Sequence, residues 1–100
     1  MEKLALWVML KAKAGKENEV AEFLKGAVPL VEAEPGTISW FALQIGPSTF
    51  GIFDTFESDA GREAHLSGKV AEALMAHAPE LLSEPPAIQK VDLLAVKSAR

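Results

Sequence analysis

The sequence predicts an α+β fold in which a four-stranded antiparallel sheet carries its helices on one face. Three observations support this prediction: segments with strand-like alternation, stretches with helical spacing, and turn residues at the junctions between them. The chain has 100 residues, of which 49% are hydrophobic, and this is ample for one core. We therefore expect a single domain over residues 1–100.

The first third of the chain predicts a strand followed by a helix. Residues 4–13 alternate, and both of their alternating faces are apolar. Residues 16–31 carry apolar side chains at spacings of three and four, which predicts a helix with one apolar stripe. Pro29 should kink or loosen its last turn. Residues 34–36, Glu-Pro-Gly, should end it because the residue before a proline avoids the helical region.

A strand hairpin should follow. Residues 37–45 and 49–57 have apolar side chains on both alternating faces, and only the turn residues 46–48 separate them. We therefore expect these two strands to pair antiparallel.

The rest of the chain predicts two helices and a last strand. Ser58 is a sound N-cap for a short helix ending near residue 67, which Gly61 should weaken. Residues 69–82 predict a second helix, kinked or restarted at Pro79, and residues 87–97 a last strand. The order strand, helix, strand, strand, helix pair, strand matches the split βαβ, or ferredoxin-like, arrangement.

The predicted sheet has more apolar surface than its helices can cover. An antiparallel sheet with one solvated face should alternate apolar with polar residues, yet the first three strands are apolar on both faces. A chain this short has no further element for the second face. We therefore expect a second copy to cover it in a homodimer, the alternative being an exposed apolar face.

Composition excludes several classes of function. Cysteine is absent, which removes disulfides and thiolate chemistry and fits a cytoplasmic protein. The net charge is -4 and the basic residues are scattered, so we expect no nucleic-acid partner. The apolar run at residues 4–10 is too short for a membrane span and lacks the features of a signal peptide. Phosphate-binding loops are missing, so neither a nucleotide nor a flavin cofactor is expected, and we predict none.

Two histidines are the main candidates for acid/base chemistry. His65 could take a proton from a substrate hydroxyl or hydrogen-bond to it, with Asp54 fixing its tautomer. An acid in an apolar strand must be paired, reach water or take up a proton. The alternatives are that His65 satisfies a carbonyl at the helix end and that Asp54 reaches a sheet edge or the dimer interface. His77 lies in line with apolar helix residues. It could contact a ligand in the pocket, or it could be a boundary residue between core and solvent. No metal site is predicted, because no helical pair of ligands is present.

Large aromatic side chains are the other candidates for a pocket that takes a small apolar or aromatic ligand. They are Trp7, Trp40, Phe41, Phe53 and Phe56. A tryptophan could stack on a flat ligand, but large aromatics in strands mostly belong to the core or to an interface. Alternation alone does not separate these roles.

Several short motifs together resemble the antibiotic biosynthesis monooxygenase family. They are a glycine after the first strand, E-P-G at 34–36, D-x-F-E-S at 54–58 and E-A-H-L at 63–66. The resemblance covers nearly the whole chain in element order and implies a dimeric α+β barrel. For function it implies a cofactor-independent monooxygenase acting on a small aromatic, quinol or polyketide-like substrate, with His65 as the matching histidine.

The chain also departs from that family's pattern. Related quinol oxidases and isomerases usually carry a glutamate and an aromatic residue, often tryptophan, where this chain has Asp54 and Phe56. Haem-degrading members need a strand asparagine, but the asparagine here is Asn18, at the start of the first predicted helix, so haem degradation is not expected. The alternative functions are a non-catalytic small-ligand-binding or accessory dimer and a small-molecule isomerase of the same fold.

Overall fold

The computed structural model describes residues 2–97 and has the predicted order of elements. These are β1 (Leu4–Lys11), α1 (Glu17–Gly26), α2 (Val28–Glu32), β2 (Thr37–Gln44), β3 (Thr49–Phe56), α3 (Asp59–Leu66), α4 (Lys69–Leu81) and β4 (Ala87–Asp92). The strands form one antiparallel sheet in the order β2-β3-β1-β4, so β1 and β3 are central. This is the predicted α+β, ferredoxin-like fold.

Several predicted boundaries are wrong. The helix expected over residues 16–31 is two helices, α1 and α2, which are separated at Ala27. Pro29 lies in the first turn of α2, where its missing N–H breaks no helical hydrogen bond. Pro79 does not restart α4, which continues to Leu81.

Two strands are shorter than predicted. Asp92, the last residue of β4, pairs with Leu4, which is the first residue of β1. One more backbone hydrogen bond follows, from the Leu93 N–H to the Lys3 carbonyl oxygen at 2.9 Å, and the strand predicted over residues 87–97 stops at residue 92. At its other end β1 stops at Lys11 rather than at residue 13.

One face of the sheet carries the helices and the main core. Val8 and Leu10 of β1 and Ile52 of β3 are buried there, and they belong to one cluster with Val20 of α1 and Leu74 of α4. These strand residues come from the even-numbered registers of β1 and β3, so the even registers face the helices. None of the helices in the described part of the chain is long and apolar enough to span a membrane.

The opposite face is apolar, and within residues 2–97 no helix covers it. Trp7, Phe53 and Phe41 lie directly opposite one another on β1, β3 and β2, so their side chains form a row across this face. Phe41 is 53% exposed. Gly51 leaves space for this row, since a Cβ at that position would lie 2.6 Å from Cη2 of the Trp7 ring. We call this surface the open face.

Two glycines let α3 approach the start of β2. A Cβ added at Gly36 would lie 2.9 Å from the Cα of Gly61, and a Cβ added at Gly61 would lie 2.8 Å from the carbonyl oxygen of Gly36. Side chains cannot be accommodated at such distances unless the backbone moves. Ser58 caps α3 as predicted, its Oγ accepting a hydrogen bond from the Gly61 N–H at 3.2 Å. Gly61 therefore has a packing role beyond its effect on helix propensity.

Candidate active site

A buried histidine between two carboxylates is the centre of the candidate site. His65 Nδ1 lies 2.5 Å from Oε1 of Glu34, and His65 Nε2 lies 2.8 Å from Oδ2 of Asp54. His65 is 6% exposed and Asp54 is 0% exposed. We call these three residues the carboxylate–histidine triad. The predicted partnership of His65 with Asp54 is present in the structure, and the edge or interface position considered for Asp54 is not.

Three separate elements bring the triad together. Asp54 belongs to the helix-facing register of β3, and His65 lies in the last turn of α3. Glu34 lies in the turn before β2, where its Oε1 also accepts a hydrogen bond from Oγ1 of Thr37 at 2.8 Å. The close contact between Gly36 and Gly61 holds this turn against α3. The local sequence on both sides therefore fixes the distance between Glu34 and His65.

The pKa of His65 is raised above its ordinary value of 6.5. Burial by itself would lower the pKa, because it disfavours the charged imidazolium. The contacts with Asp54 and Glu34, and the negative charges of these groups, outweigh the effect of burial. The Asp54 contact is poorly aligned for a hydrogen bond, and by strict geometry neither Asp54 oxygen has a donor. The 2.8 Å separation nevertheless places the ring nitrogen in direct contact with the carboxylate, which favours the protonated ring.

This raised pKa predicts how stability depends on pH. Because the folded protein binds the His65 proton more tightly than the unfolded chain does, the contribution to stability is complete below about pH 6.5. It is lost as the pH rises through the folded-state pKa. Urea unfolding between about pH 6 and about pH 9 should show the free energy of unfolding falling in step with the NMR titration of the His65 ring. A His65 midpoint below 6.5, or a stability that rises over this interval, would contradict the assignment.

The triad leaves Asp54 as the available proton acceptor. Each ring nitrogen of His65 faces a carboxylate oxygen, so the imidazole has no free nitrogen for a ligand while the triad is intact. Oδ1 of Asp54 is buried and has no hydrogen-bond partner among residues 2–97. In this arrangement Oδ1 of Asp54 can accept a proton. The role of His65 as the base requires that one ring nitrogen be released from its carboxylate, and it stays a prediction.

Two of the predicted aromatic residues lie beside the triad. Phe56 is fully buried, and its ring centroid lies 5.5 Å from that of His65. Trp40 on β2 is the register partner of Asp54, so both side chains project from the same face of the sheet. The ring of Trp40 packs under the helices against a small cluster of Ala27, Val31 and Val70.

The other predicted aromatic residues are on the wrong face for this site. Trp7, Phe41 and Phe53 belong to the open face, and the sheet itself separates them from His65. Both registers of these strands are apolar, so alternation did not distinguish the two faces. Of the five aromatic pocket candidates, only Trp40 and Phe56 therefore lie on the side of the sheet that carries His65.

His77 is not part of the triad. It is exposed on α4, where Nδ1 can donate a hydrogen bond to the carbonyl oxygen of Ala73 at 2.8 Å, and its ring contacts that of Phe23. The cavity beside it has a volume of about 10 Å³, which is room for one water molecule. These contacts favour a boundary residue, which was the alternative interpretation of its position.

A groove crosses the helical surface above Trp40. It has a volume of about 210 Å³ and lies between α1, α2 and α4. Ala27 and Val70 form part of its lining, and the same two residues belong, with Val31, to the small cluster against which Trp40 packs. The groove and the Trp40 ring therefore share apolar neighbours.

Two charged residues near His65 were not among the predicted site residues: Glu34, which is half-buried, and Arg62, which is buried. Glu34 belongs to a motif noted for its turn chemistry, and its contact with His65 spans 31 residues of sequence. Arg62 lies one turn before His65 on α3 and is buried. Its Nη1 donates to the carbonyl oxygen of Val91 at 3.3 Å, and its Nη2 to Oδ1 of Asp59 at 3.2 Å. The i,i+3 spacing of Arg62 and His65 was the one signal that both could face the sheet.

Comparison with solved structures identifies the family. The crystal structure of a protein of unknown function from Nitrosomonas europaea is 59% identical in sequence, with a TM-score of 0.97. The match covers 100% of this chain and 97% of that one. The chain belongs to the family of this protein.

Less similar structures share the fold of the family. A protein from Mycobacterium tuberculosis is 18% identical, with a TM-score of 0.84, over 96% of this chain and 99% of that one. A protein named as an antibiotic biosynthesis monooxygenase is 14% identical, with a TM-score of 0.78, over 92% of this chain and 99% of that one. The fold is that of the antibiotic biosynthesis monooxygenases, as the resemblance implied. No family model and no curated protein matches the chain.

Proposed function

We propose that this protein is a cofactor-independent monooxygenase acting on a small aromatic, quinol or polyketide-like substrate. The observation that carries the proposal is the carboxylate–histidine triad, in which a buried Asp54 oxygen has no hydrogen-bond donor within residues 2–97 and lies beside an imidazole whose pKa is raised. A carboxylate held in an apolar site can take a proton from a substrate hydroxyl or an acidic carbon. The fold shared with the antibiotic biosynthesis monooxygenases supports the same activity.

Molecular oxygen would be the co-reactant. Loss of a proton to Asp54 turns an electron-rich aromatic substrate into an anion that O₂ can oxidise. In an anthrone-like case a CH₂ carbon becomes a carbonyl: one atom of O₂ is added to that carbon, and the other leaves as water with the two hydrogens. The substrate supplies all four electrons. The protein then has to provide only a base, an orientation and a water-poor site, here lined by the buried ring of Phe56.

Oxygen uptake with a dihydroxyanthracene tests the proposal. We expect the wild-type protein to consume oxygen and Asp54→Asn, which removes the charge but keeps the shape, to lower kcat by at least about 100-fold. Glu63→Gln is the matched control, because it removes a carboxylate on α3, the helix of His65, that pairs in solvent with Lys90 at 2.7 Å. This control should keep the wild-type rate.

Two results would contradict the proposed oxygenase. One is wild-type uptake no faster than the uncatalysed reaction. The other is an Asp54→Asn variant as fast as Glu63→Gln.

A non-catalytic small-ligand-binding or accessory dimer is the second candidate. The observation that favours it is that both His65 ring nitrogens contact carboxylates. Such contacts can serve only to hold α3, β3 and the turn before β2 together. Such a protein would show saturable quenching of its tryptophan fluorescence by the aromatic compound and no oxygen consumption. A small-molecule isomerase would instead convert its substrate without oxygen.

We also propose that a second copy of the chain covers the open face in a homodimer. The row of Trp7, Phe53 and Phe41 supports this, since contiguous exposed apolar surface is unusual on a protein that stays monomeric. A two-fold arrangement would let the same face serve both partners. The absence of cysteine fits a cytoplasmic location for this dimer, and the net charge of -4 fits a small-molecule rather than a nucleic-acid partner.

A further inference from the structure

Two buried polar atoms on neighbouring strands lack hydrogen-bond partners. Within residues 2–97, Nε1 of Trp40 has no acceptor and Oδ1 of Asp54 has no donor, and each atom is buried. A buried N–H or carboxylate oxygen without a partner costs free energy, so native proteins rarely keep one. Here a donor without an acceptor and a carboxylate without a donor occur on adjacent strands.

The register of the sheet places these two side chains side by side. Trp40 and Asp54 are direct partners in the antiparallel pair of β2 and β3. The Cβ atoms of such partners lie about 4.5–5.5 Å apart on one face of the sheet. Both side chains therefore begin next to each other under the helices.

A hydroxyl group is complementary to this pair of atoms. Its oxygen can accept a hydrogen bond from the Trp40 N–H while its hydrogen is donated to the Asp54 carboxylate. We infer that Trp40 Nε1 and Asp54 Oδ1 form a two-point subsite for a hydroxyl on an aromatic ligand. The inference rests on the proposed function for the kind of ligand, and it adds Trp40 as the residue that selects the hydroxyl.

The approach to this subsite is apolar. Ala27 and Val70 line the groove of about 210 Å³ and also belong to the cluster against which Trp40 packs. A ligand that reached the subsite from the groove would have to displace these apolar side chains before it met the two polar atoms. The subsite thus fits an aromatic body with one hydroxyl at its leading end.

Binding of 2-naphthol and 2-methylnaphthalene separates the hydroxyl from the aromatic body. We expect wild-type protein to bind 2-naphthol at least about tenfold more tightly than 2-methylnaphthalene, since the hydroxyl bonds to the Asp54 carboxylate as well as to the Trp40 N–H. Trp40→Phe keeps an aromatic ring and removes the donor, and should cut this preference by about fivefold. Trp7→Phe makes the same change on the open face and should leave the preference unchanged.

A second readout comes from the two indole N–H signals in an NMR spectrum. Trp40→Phe and Trp7→Phe each remove one of these signals and so assign them. The Trp40 signal should shift with 2-naphthol and much less with 2-methylnaphthalene, while the Trp7 signal should stay in place. Asp54→Asn should lower the preference for 2-naphthol as well, because a neutral amide is a weaker acceptor than a carboxylate.

Several outcomes would overturn the subsite. One is equal affinity for 2-naphthol and 2-methylnaphthalene, and another is no binding of either probe. A third is a preference for 2-naphthol that survives Trp40→Phe, which would mean that the hydroxyl does not bond to the Trp40 N–H. Failure of the proposed function gives a different result. The wild-type protein would still prefer 2-naphthol and Trp40→Phe would still weaken that preference, but no oxygen would be consumed. Oxygen consumption without the preference would overturn the subsite alone.

Discussion

Replacing His65 with alanine should lower the free energy of unfolding by about 3–5 kcal/mol at neutral pH. The substitution removes the imidazole that Asp54 and Glu34 share, whose raised pKa favours its charged form, and leaves two carboxyl groups close together in a largely buried place. Breaking a buried ion pair from one side is costly because the remaining charge stays desolvated. Urea unfolding followed by circular dichroism measures the loss.

Two further variants separate the charge effect from the loss of packing. His77→Ala removes a histidine that is exposed on α4, and should change the free energy of unfolding by less than about 0.5 kcal/mol. Adding Asp54→Asn to His65→Ala removes one of the uncompensated charges and should restore part of the stability. The account of the triad would be wrong if His65→Ala were as stable as His77→Ala.

Replacing Phe41 with glutamate should dissociate the proposed homodimer. Phe41 lies at one end of the row on the open face, and a charge buried there on association would cost several kcal/mol without a partner. Since each 1.4 kcal/mol is tenfold in affinity, the dissociation constant should rise by at least about 100-fold. Sedimentation equilibrium should give twice the chain mass of 10.7 kDa for wild type and the single chain mass for the variant.

Met75→Glu is the control for this experiment. Met75 is 54% exposed, almost the same as Phe41, but it lies on α4 on the helical side of the sheet. The control should remain a dimer. A wild-type protein that sediments as one chain at micromolar concentration would end the dimer proposal.

The fold could be predicted from the sequence because its signals are local. Alternation, helical spacing and turn residues each extend over a few neighbouring positions, and they fix the order of elements without knowledge of their packing. The errors lie where packing decides. Pro29 begins a second helix rather than loosening the first, and β4 ends where its partner β1 ends.

The candidate site could be predicted only in part. His65 and Asp54 are 11 positions apart in sequence, within one strand and the helix that follows, so their proximity could be expected. Glu34 comes from a turn 31 residues before His65, and its approach depends on the contact between Gly36 and Gly61. No pattern of neighbouring residues predicts a contact between Gly36 and Gly61. The face of Trp7 was equally undetermined, since both registers of β1 are apolar.

The triad also sets the charge that a ligand meets. Two acidic side chains, Asp54 and Glu34, face one histidine, and the buried Arg62 has its own acidic partner in Asp59. Even with His65 protonated, the acidic groups of the triad outnumber its basic group. We therefore expect the site to disfavour a ligand that brings a phosphate or carboxylate group to it, whereas a neutral hydroxyl would be accepted. Among the alternative functions, a small-molecule isomerase would then need a substrate that is uncharged where it meets the triad.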